Sequence, residues 1–148
     1  MKKSILLSLL AISAVTFSCK KDEVAMNPDK IYVVSTSLSG ANEIPMVTTS
    51  ATGTTTGTYN QTTKMLTIST TLNGITPTAG HVHTQAVPTN ATKSGDVTFP
   101  FASLTSPISL TTMLTMAQET DLLNGIVYVN FHTPANPKGE IRGNLMVK

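Results

Sequence analysis

Two alternating runs, "ATGTTTGTYN" at 51–60 and "KMLTISTTLNG" at 64–74, constrain this chain more than any other feature. In the second, Met65, Thr67, Ser69 and Thr71 face one way, and Leu66, Ile68, Thr70 and Leu72 face the other. A period of two marks a half-buried strand and does not fit the 3.6-residue turn of a helix. In the first run, Ala51, Gly53, Thr55 and Gly57 share a face opposite Thr52, Thr54, Thr56 and Thr58. "NQTTK" connects the two at hairpin length, so these strands are expected to pair antiparallel. Further short β runs fall at 31–40, 79–85, 95–101, 107–113, 125–132 and 139–147. Eight runs with Gly, Pro and Asn between them predict an all-β fold. The expected form is an antiparallel Greek-key or immunoglobulin-like sandwich of about eight strands.

One helix interrupts the strands. In "TMAQETDLLNG", Thr115 is placed as N-cap and Gln118 completes a capping box. Asn124-Gly125 supplies the left-handed stop. Met116, Leu122 and Leu123 are the residues expected to pack over a sheet edge.

The N-terminus reads as an address and not as fold. Lys2 and Lys3 precede an apolar stretch from Ile5 to Val15, too short for a permanent span, and Ser18 precedes Cys19. "TFSC" resembles the lipobox of bacterial lipoproteins, in which the cysteine is lipidated and becomes the new N-terminus. The alternative is ordinary signal-peptidase cleavage, with Cys19 left as an odd thiol. "CKKDE" resembles the run that follows the acylated cysteine in surface-exported lipoproteins of some Gram-negative bacteria; an ordinary solvated linker is the other reading. The expected organisation is a signal peptide over 1–18, a tether over 19–30 and one domain over 31–148. Its first partner is then the membrane, reached through a lipid anchor in the cell envelope, at the outer membrane or cell surface.

Charge narrows the partners further. Of ten Lys and Arg, two are Lys2 and Lys3, which leaves eight basic against eight acidic residues from Cys19 onward. An electroneutral domain without a basic cluster has no electrostatic reason to seek nucleic acid. A single cysteine permits no internal disulfide, so the core must hold the domain together.

Three histidines stand out. In "AGHVHT", His81 and His83 share one face while Val82 turns to the core. In "IVYVNFHT", Val127, Val129 and Phe131 form the apolar face, which leaves Tyr128, Asn130 and His132 opposite. All three histidines are therefore expected on the side of their strands away from the core. If the two strands are neighbours, the imidazoles converge on one patch as a ligand set suited to copper, with zinc the second choice. The competing reading is structural, with ring nitrogens tied to backbone or to polar neighbours such as Asn130. Spacing alone does not decide adjacency.

"LSGANEIPMVTTSATGTTTGTYN", "LNGITPTAGHVHT" and "NGIVYVNFHTPANPKGEIRGNL" together resemble the signature blocks of the chordin-type (CHRD) domain, over about 36–147. Tyr128, Asn130, His132, Pro137, Gly139, Glu140, Arg142 and Gly143 fall on the pattern of the last block. The resemblance implies an immunoglobulin-like sandwich in an extracellular protein and no settled catalysis, so the domain is expected to act as a binding or interaction module. No catalytic residue is assigned, and the protein or surface ligand it would bind is not named by the sequence. The two histidine strands are also similar to the copper half of copper–zinc superoxide dismutases, by which His81, His83 and His132 would match copper ligands. Residues 84–131 contain no further histidine, so the two-metal site of a dismutase is lacking. What remains by that analogy is a mononuclear copper or zinc protein with an open coordination position and redox capability. Tyr128, Asn130, Glu140 and Arg142 are the candidates for support around it.

"GEIRG" puts Glu140 and Arg142 on one face, as an ion pair or as a charged lid near the histidines, with Ile141 and Leu145 inward. Glu43 in "GANEIP" is a lone carboxylate that could pair with Arg142 or bind a turn. No Gly-x-Ser-x-Gly elbow accompanies the many serines, which removes the support for a hydrolase triad.

Overall fold

The computed structural model describes residues 29–85 and 95–148, so Cys19 and the tether lie outside the described residues. Nine strands, one α-helix and a single 3-10 turn (Gly40–Asn42, between β1 and β2) follow among the described residues, in the order β1 (Ile31–Ser39), β2 (Thr52–Asn60), β3 (Met65–Asn73), β4 (Ala79–Thr84), β5 (Asp96–Pro100), β6 (Ile108–Met113), α1 (Met116–Leu123), β7 (Val127–His132), β8 (Ile141–Asn144) and β9 (Met146–Val147). The expected β runs are all present. The run at 139–147 divides into β8 and β9, which brings the count to nine.

β2 and β3 form the expected hairpin, in register from Thr52 opposite Asn73 to Asn60 opposite Met65. Its turn is closed by Asn60, whose Oδ1 accepts from the N–H groups of Thr62 and Thr63 at 2.9 and 3.0 Å. Lys64 then takes a left-handed φ of 60° to return the chain. Strand order runs β5-β4-β7-β8-β1-β2-β3-β6, with β9 also on β1. The sheet curls so that the inward faces of its two halves meet in one core. Val34, Leu38, Tyr59, Leu66, Ile68 and Ile108 come from one half, and Val82, Val129, Phe131 and Ile141 from the other. Ile141 and Leu145 are fully buried, as the alternation predicts. Thr55 and Thr70, the polar members of the inward faces of β2 and β3, hydrogen-bond each other at 2.7 Å, which removes the penalty of burying two hydroxyls.

The capping box of α1 is present in both directions, from Gln118 N–H to Thr115 Oγ1 and from Thr115 N–H to Gln118 Oε1. Gly125 carries the left-handed φ of 70° that ends the helix. The packing differs from expectation. Leu122 alone of the three apolar residues is buried, while Met116 and Leu123 are exposed. Glu119 takes the inward position between them and pairs with Lys64 at 2.6 Å. A helix of eight residues buries little more than one turn of side chains, and here a carboxylate with a lysine partner fills part of that contact. No helix among the described residues is long and apolar enough to cross a membrane.

Candidate metal centre

β4 and β7 are neighbours. Their antiparallel register sets His81 opposite Asn130, Val82 opposite Val129 and His83 opposite Tyr128. Val82, Val129 and Phe131 enter the core, which leaves His81, His83, Tyr128, Asn130 and His132 together on the other face. Gly80 opposite Phe131 is a close approach, since a Cβ there would meet the Phe131 ring at 2.5 Å. Packing of the core face thus draws the two histidine strands together.

His81 Nδ1 lies 3.0 Å from His132 Nε2. One ring nitrogen from each of His81, His83 and His132 falls within 4.8 Å of the others. Separations of about 3–4 Å are what imidazoles sharing one metal through bonds of about 2 Å require. The His81–His132 pair lies at that distance, and all three nitrogens fall within 4.8 Å of one another.

Two of the rings are held in a defined sense. His83 Nδ1 is 2.9 Å from the Gly95 carbonyl, and His132 Nδ1 is 3.1 Å from the Pro137 carbonyl. A carbonyl only accepts, so each Nδ1 carries the proton and each Nε2 keeps its lone pair. Such contacts from the second ring nitrogen orient metal-binding histidines. His83 Nε2 is buried and has no hydrogen-bond partner. Burial lowers the proton affinity of all three histidines below the ordinary imidazole value, and their mutual repulsion lowers that of His132 and His83 further. The cluster is therefore neutral at neutral pH, the state in which imidazole binds metal.

The histidines lie on the side of their strands away from the core, as expected, but that side is covered by loops and is not open to solvent. Tyr128, Asn130, Arg142 and His83 are 0, 1, 2 and 5 % exposed. Alternation tells which residues share a face but not which loops cover it. Glu43 lies over Arg142 and Asn130, Gly95 over Tyr128 and His83, and Pro137 over His132. β7 is consequently buried on both faces almost throughout.

Beneath the histidines Tyr128 is the central plate of a stack. The His83 ring lies parallel to it, with centroids 4.8 Å apart and planes inclined by 2°. The Arg142 guanidinium carbon stands 3.5 Å from the Tyr128 centroid. β7 lies between β4 and β8, so histidine and arginine approach the tyrosine from opposite neighbours. The Tyr128 hydroxyl accepts from the Gly95 N–H at 3.0 Å, and the Gly95 carbonyl accepts from His83. One backbone unit thus latches both rings.

Glu140 and Arg142 do not form an ion pair. Glu140 accepts from Thr49 at 2.8 Å and from Thr133 at 2.5 Å, and these bonds hold its carboxyl below the usual range. It braces the 133–140 loop whose Pro137 carbonyl orients His132. Arg142 Nη2 donates to Gln85 Oε1 at 2.7 Å. The two side chains share a sequence spacing, but β8 begins at Ile141, so Glu140 belongs to the loop and Arg142 to the sheet. Burial pushes the Glu43 carboxyl up to about 7, against the opposing pull of the Arg142 charge.

An antiparallel all-β domain with a histidine cluster on adjacent strands is the class that fold and site define. Residues 34–145 match the CHRD domain, and the chain belongs to that family. Comparison with curated proteins and with solved structures gives no match.

Gly95, Gln85, Thr49 and Thr133 take part in the site without any sequence signal marking them. Gly95 and Pro137 contribute through backbone carbonyls, which no side-chain pattern encodes. Glu43 was visible, and its pairing with Arg142 was one of two options. The structure sets it within reach of the Arg142 field but among orphaned buried atoms, with its Oε1 lacking a hydrogen-bond partner.

Proposed function

We propose that this CHRD domain is an envelope-anchored binding module whose ligand is a single metal ion, copper before zinc, held by His81, His83 and His132. The observation that carries the reading is the convergence of the three imidazoles, with His81 Nδ1 and His132 Nε2 at 3.0 Å and His83 Nε2 buried without a partner. Leaving a buried imidazole nitrogen unpaired is costly, and a metal at that position removes the penalty. Imidazole ligands suit both copper and zinc, and divalent copper binds the stronger of the two at a given site. In the metal-free cluster His81 Nδ1 donates to His132 Nε2, and metal binding to these two nitrogens moves that proton to His81 Nε2, so the neutral cluster binds without net proton release. Three protein ligands leave a position for an exogenous ligand.

Metal analysis tests this. Protein stripped with chelator and reloaded with copper is expected to retain one ion per chain, and the His83→Ala variant to retain none. Absence of stoichiometric copper or zinc in the reloaded wild type contradicts the proposal.

We further propose that the domain is tethered through lipidated Cys19, supported by the charged start, short apolar run and "TFSC" of the N-terminus. Cys19→Ser should abolish incorporation of labelled fatty acid and release the protein from membranes. Unchanged membrane fractionation of that variant rejects the anchor and leaves the metal site untouched.

A further inference from the structure

An open cavity of about 310 Å³ lies between the segment after β1 and the 133–140 loop. Ile44, Pro45, Val47, Ala135 and Pro137 give it largely apolar walls. Its volume is at the lower end of the range for small-molecule sites, about 300–1,000 Å³. Glu43 also lines it, is 6 % exposed, and has a buried Oε1 without a hydrogen-bond partner. Gly139 lies directly against that carboxyl; a Cβ at 139 would overlap it, so the loop passes over the carboxyl without a side chain between.

We propose that this cavity binds a small uncharged molecule with an aliphatic body and one hydroxyl group, the hydroxyl donating to the Glu43 carboxyl. The walls supply the apolar burial, and the Glu43 carboxyl that lines the cavity supplies the one directional contact that such sites use for orientation. Charge selects against an amine. Lys138 lines the cavity and the Arg142 guanidinium faces Glu43 from the protein side, so an ammonium would meet two cations around one carboxyl. Burial raises the proton affinity of Glu43, in keeping with a carboxyl that meets neutral partners. The cavity shares Pro137 with the histidine cluster, since the Pro137 carbonyl holds His132 Nδ1, but none of the three histidines lines it.

The test uses the full chain freed of metal by chelator, followed by nuclear magnetic resonance at a pH above the raised Glu43 value. The probes are cyclohexanol and cyclohexanone, which share a body and differ in the donor. Cyclohexanol is expected to give saturable shifts confined to the cavity, around Val47, Ala135 and Gly139. It should bind about five-fold more tightly than the ketone, the contribution of one hydrogen bond. Glu43→Leu should remove that preference, and Ala135→Trp, at an exposed position on the cavity wall, should abolish binding of both. The proposal is overturned by shifts that fail to saturate or scatter over the surface, or by alcohol preference persisting in Glu43→Leu. If the Glu43 variant does not fold, undiminished cyclohexanol binding to Ala135→Trp overturns it equally.

Discussion

Arg142→Ala is expected to destabilise the domain by about 2–4 kcal/mol, the scale for losing a buried charged hydrogen bond together with a desolvated cation–aromatic contact. Arg142 is 2 % exposed and does three things at once. Its guanidinium covers one face of Tyr128, its Nη2 bonds Gln85, and its charge opposes the desolvation of Glu43. The last effect sets the pH dependence. Without arginine the Glu43 carboxylate is left buried and unopposed, so it either stays charged at high cost or takes up a proton. The loss should therefore be larger above pH 7 than below it, because protonation at low pH relieves the buried charge. Chemical denaturation of wild type, Arg142→Ala, Glu43→Leu and the double variant measures this. The double variant should lose much less than the sum of the two single losses. Strict additivity would show that the two side chains are not coupled.

The second large effect is stabilisation by metal. A ligand that binds only the folded state adds about 2.7 kcal/mol when its free concentration is a hundred times Kd. At roughly 4 °C per kcal/mol for a domain of this size, copper is expected to raise Tm by about 10 °C. His83→Ala should show no such rise. The effect also has a pH signature. The folded-state proton affinities of the three histidines lie below the ordinary value of 6.5, so the unfolded chain takes up protons first as pH falls. Their contribution to stability is complete above that value and is lost as pH drops through it. Bound copper, which needs neutral imidazoles, leaves in the same acidic range and deepens the loss. Glu43 acts with the opposite sign. Its folded value of about 7 exceeds the unfolded 4.5, so its contribution is present at low pH and lost as pH rises through 7. Copper-dependent stabilisation that vanishes on acidification isolates the histidine term. A copper-induced rise of equal size in His83→Ala would mean that the ion binds elsewhere.

The all-β class and the β2–β3 hairpin were legible because each strand alternates in a chain without long helical runs. Leu66, Ile68 and Leu72 against Thr67, Ser69 and Thr71 leave one register that buries the apolar side. The shared face of His81 and His83 was legible for the same reason. Adjacency of β4 and β7 was not, because residues 81 and 132 are brought together by sheet order and by Gly80 receiving the Phe131 ring. The side of the strands was legible, but its cover was not. A polar alternation of Tyr128, Asn130 and His132 ordinarily looks to solvent, but here Glu43, Gly95 and Pro137 cover it. Nothing in a strand's own pattern reports the loop that lies on top. The pairing of Glu140 with Arg142 failed by one residue, since the strand starts between them.

Electron paramagnetic resonance of the protein loaded with one equivalent of Cu(II) tests the central claim most directly. One copper species is expected, with a nitrogen hyperfine pattern that requires three coordinated imidazoles, and that signal is lost in each of His81→Ala and His132→Ala, as in His83→Ala. A spectrum unchanged by those substitutions, or one of hydrated copper alone, would contradict it.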